Sequence, residues 1–171
     1  MASDISAIHA LVESAFRGES AARGWTHEAD LLGGQRTDVE ALADIVADPD
    51  QALLLAEQDG ALVGCVVVSD HGASDGVRTG YLGMLAIAPE RQGGGLGRAM
   101  VAIAEAHARD NFAAEHMEMT VISRRTELIE WYLRLGYTLT GAEKPFPLDD
   151  PRFGLPKTRD LKFVVLAKQL R

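Results

Sequence analysis

The stretch that decides the fold reads Arg91-Gln92-Gly93-Gly94-Gly95-Leu96-Gly97-Arg98. An apolar run typical of a buried strand, residues 81–88, precedes it, and an alanine-rich pattern typical of a helix, residues 99–110, follows it. Glycines at such a junction allow unusual backbone angles and let a ligand approach the backbone closely. Because the first N–H groups of a helix lack partners and carry partial positive charge, the loop is suited to bind phosphate. Arg91 and Arg98 add positive charge at its two edges.

The glycine spacing excludes two common phosphate-binding motifs. A Walker A loop needs Lys and then Ser or Thr after its last glycine, whereas Arg98 and Ala99 follow here. The dinucleotide fingerprint G-x-G-x-x-G/A, started at Gly95, ends on Met100 and fails as well. The spacing that remains is Gln92-x-x-Gly95-x-Gly97.

A second motif lies downstream, where a predicted helix ends at a glycine C-cap. It reads Trp131-Tyr132-Leu133-Arg134-Leu135-Gly136-Tyr137. In this order, the two motifs resemble the GCN5-related N-acetyltransferase (GNAT) superfamily. Members of that family bind acetyl-coenzyme A (acetyl-CoA) on a loop of the first kind and carry a late helix reading aromatic-Tyr-x-x-x-Gly-aromatic. The resemblance implies an acetyl-CoA-dependent N-acetyltransferase.

The resemblance extends over nearly the whole chain, and we expect residues 1–171 to form one N-acetyltransferase domain. The implied fold is of the α/β (α+β) class, with a mixed, mostly antiparallel sheet flanked by helices. Hydrophobic periodicity and turn signals predict the individual elements. The predicted helices cover residues 3–16, 39–47, 99–110 and 127–135. The predicted strands cover residues 51–58, 61–69, a run ending at 88, 116–122, 137–140 and 161–168. A polar turn is predicted at residues 71–76, and a long proline-rich loop is predicted before the last strand.

Composition limits the alternatives. The net charge of −8 argues against a nucleic-acid partner, since such proteins are usually basic. No apolar run approaches the roughly 20 residues of a membrane helix, and the first residues do not resemble a signal peptide. The single cysteine, Cys65, excludes an intrachain disulfide and favours a cytoplasmic location. Cys65 lies in an apolar strand, where we expect packing rather than nucleophilic chemistry.

The resemblance also implies a set of residues that bind the cofactor. Backbone groups of Leu85, Ala86 and Ile87 should face the pantetheine arm, where the family's strands splay apart. The family often has an asparagine seven residues before its tyrosine, and Arg125 stands there. Arg125 could reach a phosphate, or with Arg124 it could simply begin a solvated helix. The loop residues expected to hold the diphosphate are Gln92, Gly93, Gly94, Gly95, Gly97 and Arg98.

Catalysis requires an acid and a route for the amine proton. Tyr132 matches the family's tyrosine, and a phenol with a pKa near 10 can protonate the leaving thiolate at pH 7. Some members place a glutamate on the strand before the loop, but this chain has Gly83 and Met84 there. The sequence therefore does not decide which group is the general base. We take Glu28 as the candidate residue, with Asp30, Glu127 and a bound water as alternatives.

Two segments could form the acceptor pocket. One contains Trp25 and Arg36, and the other contains Phe146 and Arg152. Arginine suits a carboxylate and an acid suits an ammonium, so the mixture favours a small zwitterionic amine such as an amino acid; alternatively, the aromatics only cover the edge of the core. A protein or peptide N-acetyltransferase and a non-catalytic acyl-CoA-binding regulator are the rival functions. The histidines show no metal spacing, so no metal is expected. Homodimers are common in the family, although no interface is evident in the sequence.

Overall fold

The computed structural model describes residues 2–17, 32–33, 36–147, 154–157 and 161–170. It has the predicted mixed architecture of helices and a mostly antiparallel sheet. The helices are α1 (Ala2–Phe16), α2 (Val39–Ala47), α3 (Leu96–Phe112) and α4 (Thr126–Arg134), with a 3₁₀ turn at Pro89–Arg91. The strands are β1 (Leu32–Gly33), β2 (Gln51–Gln58), β3 (Ala61–Ser74), β4 (Val77–Ile87), β5 (His116–Ile122), β6 (Thr138–Pro145), β7 (Leu155–Pro156) and β8 (Lys162–Gln169).

The main sheet has six strands in the order β2-β3-β4-β5-β8-β6. All neighbouring strands run antiparallel except β4 and β5, which are parallel. A parallel pair needs a crossover connection, and α3 supplies it. The short strands β1 and β7 form a separate antiparallel pair, with Leu32 opposite Pro156.

The helices cover opposite faces of this sheet. On one face, α3 and α4 pack against alternate strand residues, including Val66, Val68 and Leu82. On the other face, α1 packs against Cys65 and Ala86. Each of these two residues stands next in the sequence to a residue that packs on the first face. This alternation follows from the two-residue period of a strand. We call these the α3 face and the α1 face.

Most of the predicted helices and strands are confirmed, and the main differences concern where the strands end. Asp38 accepts a hydrogen bond from the Ala41 N–H and so begins α2. The predicted turn at 71–76 is wrong in extent: β3 continues to Ser74, and only Asp75 and Gly76, both with positive φ, make the turn. Such a two-residue connection fits the twist of a hairpin, so the polar residues before it remain in the strand. Likewise, β6 extends past the predicted end at 140 to Pro145.

Candidate functional site

The parallel strands β4 and β5 separate partway along the sheet. They pair only from Thr79 opposite His116 to Tyr81 opposite Glu118. Beyond this point, β4 continues to Ile87 alongside β3, and β5 continues to Ile122 alongside β8. A gap therefore opens through the middle of the sheet, as the family resemblance led us to expect.

A bulge in β4 lies at the edge of this gap. The register with β3 shifts between Cys65 and Val67, so that β4 has one residue more than its partner. Met84 lies in this segment at a φ of 49°, a left-handed conformation that is uncommon for residues other than glycine. Bulges turn backbone groups out of the ladder and often occur next to active sites. The bulge is therefore suited to present β4 backbone groups to the gap.

The glycine-rich loop closes one end of the gap. Gly93 and Gly95 have φ values of 85° and 86°, and Gly95 is the N-cap of α3. Gly95 has no side chain that could cap this helix, so the first N–H groups of the helix are suited to bind an anion. The side chain of Gln92 instead donates to the Ile87 carbonyl, over 3.1 Å, and ties the loop to the end of β4.

The predicted Tyr132 helix borders the loop. A Cβ added to Gly97 would lie 3.3 Å from Trp131 Cζ2, so the absence of a side chain lets α4 approach α3 closely. Tyr132 is buried beside Trp131, with ring centroids 4.9 Å apart. Burial raises the pKa of Tyr132 above its usual value, the positive charge of Arg125 opposes this, and the nearby Tyr81 adds to it.

The gap, the loop and α4 enclose one cleft of about 740 Å³. The cleft reaches from the α3 face to the α1 face of the sheet, since residues that pack on each of these faces line its walls. At the loop end it is lined by Gly93, Gly95, Gly97, Arg98, Trp131 and Arg134, and at the α1 end by Phe16, Arg17, Arg36 and Met84. Tyr132, Arg125, Leu85 and Ile87 line it as well.

The cleft differs in charge from the protein as a whole. Its described lining contains five arginines and neither Asp nor Glu, although the chain carries a net charge of −8. Arg125 is buried, so it is not part of a solvated helix start, whereas Arg124 is exposed and does not line the cleft. Arg91 is also exposed and donates to the Gln58 side chain.

The α1 end brings together residues distant in sequence. The Arg36 guanidinium lies 5.1 Å from the centre of the Phe16 ring. Glu13 accepts hydrogen bonds from the backbone N–H groups of Arg36 and Thr37, at 2.6 and 2.9 Å, and fastens this segment to α1. Phe146 lines the cleft and is also buried among Ile122, Leu161 and Phe163, so it contributes to the core, and its contact with an acceptor stays a prediction.

Two sequence-predicted cofactor residues, Ala86 and Gly94, are not in the cleft lining. Ala86 is buried in the core beneath α1. The predicted Trp25, Glu28 and Arg152 lie outside the described residues.

Sequence reasoning missed many of the lining residues, among them Arg17, Tyr81 and Thr120. Tyr81 Oη and Thr120 Oγ1 lie 2.5 Å apart, beside the last paired residues of β4 and β5. Nothing in the local sequence marks such a contact, since its partners are 39 residues apart.

The remaining chemistry of the described residues is limited. Burial raises the pKa of Cys65 to about 12, and its Sγ lies 3.8 Å from the Met84 carbonyl, in keeping with a packing role. Among the described residues, no three His, Cys, Asp or Glu side chains are grouped to hold a metal. Within the same part of the chain, no helix is both long and apolar enough to cross a membrane.

Comparison with known proteins agrees with this architecture. The sequence profile of the Acetyltransferase (GNAT) family matches residues 11–137, and the chain belongs to this family. A mycothiol acetyltransferase of Cellulomonas flavigena is 31% identical over 147 residues, which cover 81% of this chain and 42% of that protein. The chain thus spans less than half the length of this curated relative.

Solved structures show the same fold. Nourseothricin acetyltransferase is 29% identical, with a TM-score of 0.59, over 72% of this chain and 68% of its own. A ribosomal-protein-alanine N-acetyltransferase from Brucella melitensis has a TM-score of 0.70 at 18% identity, covering 99% of this chain and 96% of its own. A protein from Salmonella typhimurium, solved with its cofactor acetyl-CoA, has a TM-score of 0.69 at 22% identity, over 100% of this chain and 91% of its own.

Proposed function

We propose that this protein transfers the acetyl group of acetyl-CoA to the primary amine of a small molecule such as an amino acid. The observation that carries the proposal is the cleft through the sheet, with the glycine-rich N-terminus of α3 at one side and a buried tyrosine within it. An acyl donor and an amine could then enter from opposite faces and meet beside Tyr132. Family membership supports the same chemistry.

The loop end fits the phosphate groups of coenzyme A. The uncapped N-terminus of α3 offers N–H donors, the glycines leave room for close approach, and Arg98 and Arg134 supply positive charge. We assign the pantetheine arm to the gap, along Leu85 and Ile87. Acetyl-CoA, when bound, supplies an acetyl group activated as a thioester.

Tyr132 is the proposed acid that donates to the departing sulfur. Its pKa lies above the usual value near 10, so it is protonated at pH 7. A thiol has a pKa near 8.5, below that of Tyr132, so proton transfer from Tyr132 to the departing thiolate is uphill by itself. We therefore propose that Tyr132 donates a hydrogen bond to the charge that develops on sulfur, and that the transfer is completed as the proton released by the amine replaces the one that Tyr132 gives up. The nearby Arg125 favours this step, because its charge lowers the pKa of Tyr132.

The amine must be neutral to attack. Neutralising an amine with a pKa near 10.4 at pH 7 costs about 4.6 kcal/mol, whereas the terminal α-amine of a peptide, with a pKa near 7.8, costs about 1.1 kcal/mol. A cleft lined by arginines lowers the pKa of any ammonium group within it, because like charges disfavour the charged form. The lining itself thus assists deprotonation. Glu28 remains our candidate for a residue that accepts the proton.

The proposal is tested by calorimetric titration of the purified protein with acetyl-CoA, followed by assays of thiol release with a panel of amines. Desulfo-coenzyme A and ATP serve as comparison ligands. We expect binding selective for the coenzyme A scaffold and turnover with small α-amines. Binding without turnover on any amine or peptide would favour a regulator, turnover on peptides alone would favour a protein N-acetyltransferase, and absence of binding would refute the assignment of the loop.

A further inference from the structure

We propose that Lys168 is a positioning residue, which holds Tyr132 at the place where the departing sulfur needs a proton. The inference rests on the proposed function and adds a residue to it. Lys168 lies on β8 and is not part of the described cleft lining. It acts through the C-terminal end of α4, which it ties to α3.

The helix that carries Tyr132 is short and needs contacts with the rest of the protein. Of the nine described residues of α4, only Tyr132 is buried. Helices shorter than about 12 residues are marginal by themselves, so tertiary contacts decide where such a helix lies. The last carbonyl groups of a helix lack partners within it and favour a cation nearby. The C-terminal end of α4 is therefore a place where a charged side chain can fix the helix.

Lys168 supplies that charge. Its Nζ donates a hydrogen bond of 2.9 Å to the carbonyl of Leu135, three residues after Tyr132. The Leu135 N–H in turn donates to the Tyr132 carbonyl over 3.0 Å. Gly136 lets the lysine approach, because a Cβ at this position would lie 3.3 Å from Lys168 Cε. The glycine of the second sequence motif thus has a role besides its φ of 99°.

The same ammonium group is anchored to the helix that begins at the glycine-rich loop. Lys168 Nζ lies 3.0 and 3.1 Å from the two carboxylate oxygens of Glu105, which is on α3. The Tyr137 hydroxyl also donates to Glu105, but the lysine contacts the carboxylate directly and does not depend on it. The pair is partly buried, so salt screens it less than a surface pair. Lys168 therefore joins α3, the end of α4 and β8 at one point.

This junction matters for catalysis because the two helices have different parts in the reaction. The N-terminus of α3 is proposed to hold the diphosphate, which determines where the sulfur lies, and α4 carries the proposed acid. A general acid must come within about 2.6–3.2 Å of the atom that it protonates. A displacement of about 1 Å can lower a rate about 100-fold. By fixing the two helices relative to each other, Lys168 sets the distance from Tyr132 to the sulfur.

The first test is Lys168→Met, in which a side chain of similar length loses its charge and its donors. With the amine of the panel that gives the highest turnover, we expect kcat to fall about tenfold, while acetyl-CoA affinity stays within about threefold. In the Tyr132→Phe background, the same substitution should change kcat by less than about twofold, because the hydroxyl that it positions is absent. Lys168→Arg keeps the charge and should retain kcat within about threefold.

Lys162→Met is the matched control. Lys162 lies on the same strand, and its exposed ion pair with Glu143 is far in sequence from α3 and α4. Its loss should leave kcat unchanged, since exposed ion pairs contribute little.

A second measurement needs no acceptor. Coenzyme A and desulfo-coenzyme A differ only in the sulfur, so the ratio of their affinities reports on the contact with Tyr132. At pH 9 the free thiol is mostly ionised, and hydrogen bonds to charged groups are the stronger ones. We expect the unmodified protein and Lys162→Met to prefer coenzyme A about tenfold, and Lys168→Met and Tyr132→Phe to lose most of this preference. If Lys168→Met does not fold, Glu105→Gln takes its place and should lose part of the preference.

The inference is wrong if Lys168→Met keeps both kcat and the preference for coenzyme A, or if its loss of kcat adds fully to that of Tyr132→Phe. Those results leave acetyl transfer intact. Full turnover by Tyr132→Phe would refute the proposed acid, and with it the role of Lys168. A protein that does not bind acetyl-CoA would refute the proposed function. Each failure shows in a different variant, so the failures are distinguishable.

Discussion

The two ends of the cleft are built in different ways. The loop end comes from two short continuous segments, residues 92–98 and 131–134, brought together where Gly97 packs against Trp131. The α1 end collects side chains that are far apart in the sequence, from Phe16 to Phe146. Continuous segments produce a recognisable sequence pattern, whereas scattered contacts do not. We therefore expect substitutions at the loop end to affect acetyl-CoA and those at the α1 end to affect the acceptor.

The largest expected effect is at the N-terminus of α3. Gly95→Glu places a carboxylate where phosphate is expected and forces a side chain into a φ of 86°. We expect acetyl-CoA affinity to fall about 100-fold or more, roughly 2.7 kcal/mol or above, measured by calorimetry.

The matched control for this substitution is Gly76→Glu. Gly76 has a similar φ of 80° and open surroundings, but it lies in the β3–β4 turn, away from the cleft. It should lose comparable stability and keep its affinity. Equal affinity in the Gly95 variant and the unmodified protein would show that the loop holds no phosphate.

Tyr132→Phe should produce the next largest effect, because it removes the proposed acid while the ring still fills its buried site. We expect kcat to fall about 100-fold with little change in acetyl-CoA affinity. Burial holds the pKa of Tyr132 above its usual value near 10, so the acid form persists as pH rises. The unmodified enzyme should accordingly show no alkaline decline in kcat below about pH 10.

Tyr137→Phe is the control for that substitution. The two rings lie 5.8 Å apart, but the Tyr137 hydroxyl donates to Glu105 and does not line the cleft. Its loss should reduce stability and spare kcat. If the two variants lose activity equally, the effect is one of packing, and Tyr132 is not the acid.

These differences explain how much the sequence could predict. The Asp38 cap and the Gly136 turn could be read locally, because each depends on residues within one turn of helix. The Met84 bulge could not, since a register shift depends on which strand lies alongside. The same applies to the Tyr81–Thr120 contact and to the approach of Arg36 to Phe16. Long-range pairing, rather than local preference, decides these features.

Gly97→Ala tests the junction between the two continuous segments. The added Cβ would lie 3.3 Å from Trp131 Cζ2, so the indole must shift. We expect a loss of about 1 kcal/mol in unfolding free energy, by analogy with overpacked cores, and weaker acetyl-CoA binding by severalfold. In the control Gly94→Ala, the Cβ meets only the Arg91 carbonyl at 3.7 Å, and no comparable loss is expected. A fully stable Gly97→Ala variant would show that α4 tolerates displacement.

The smallest effect is expected where the two ends meet. Thr120→Val removes the hydrogen bond with Tyr81 while keeping a β-branched side chain in β5, and we expect unfolding free energy in urea to fall by about 1 kcal/mol. Thr120 alternates with Met119 and Val121 of the α3-face core, so its side chain points to the α1 face. The acceptor KM should therefore change by up to about fivefold, the equivalent of one hydrogen bond, while acetyl-CoA affinity stays within about twofold. Thr140→Val, which removes a partly buried bond to the Val165 carbonyl on β8, should leave the acceptor KM and the acetyl-CoA affinity unchanged. If Thr120→Val weakens the binding of acetyl-CoA as much as that of the acceptor, the two ends of the cleft do not act independently. The separation of β4 and β5 would then depend on this hydrogen bond.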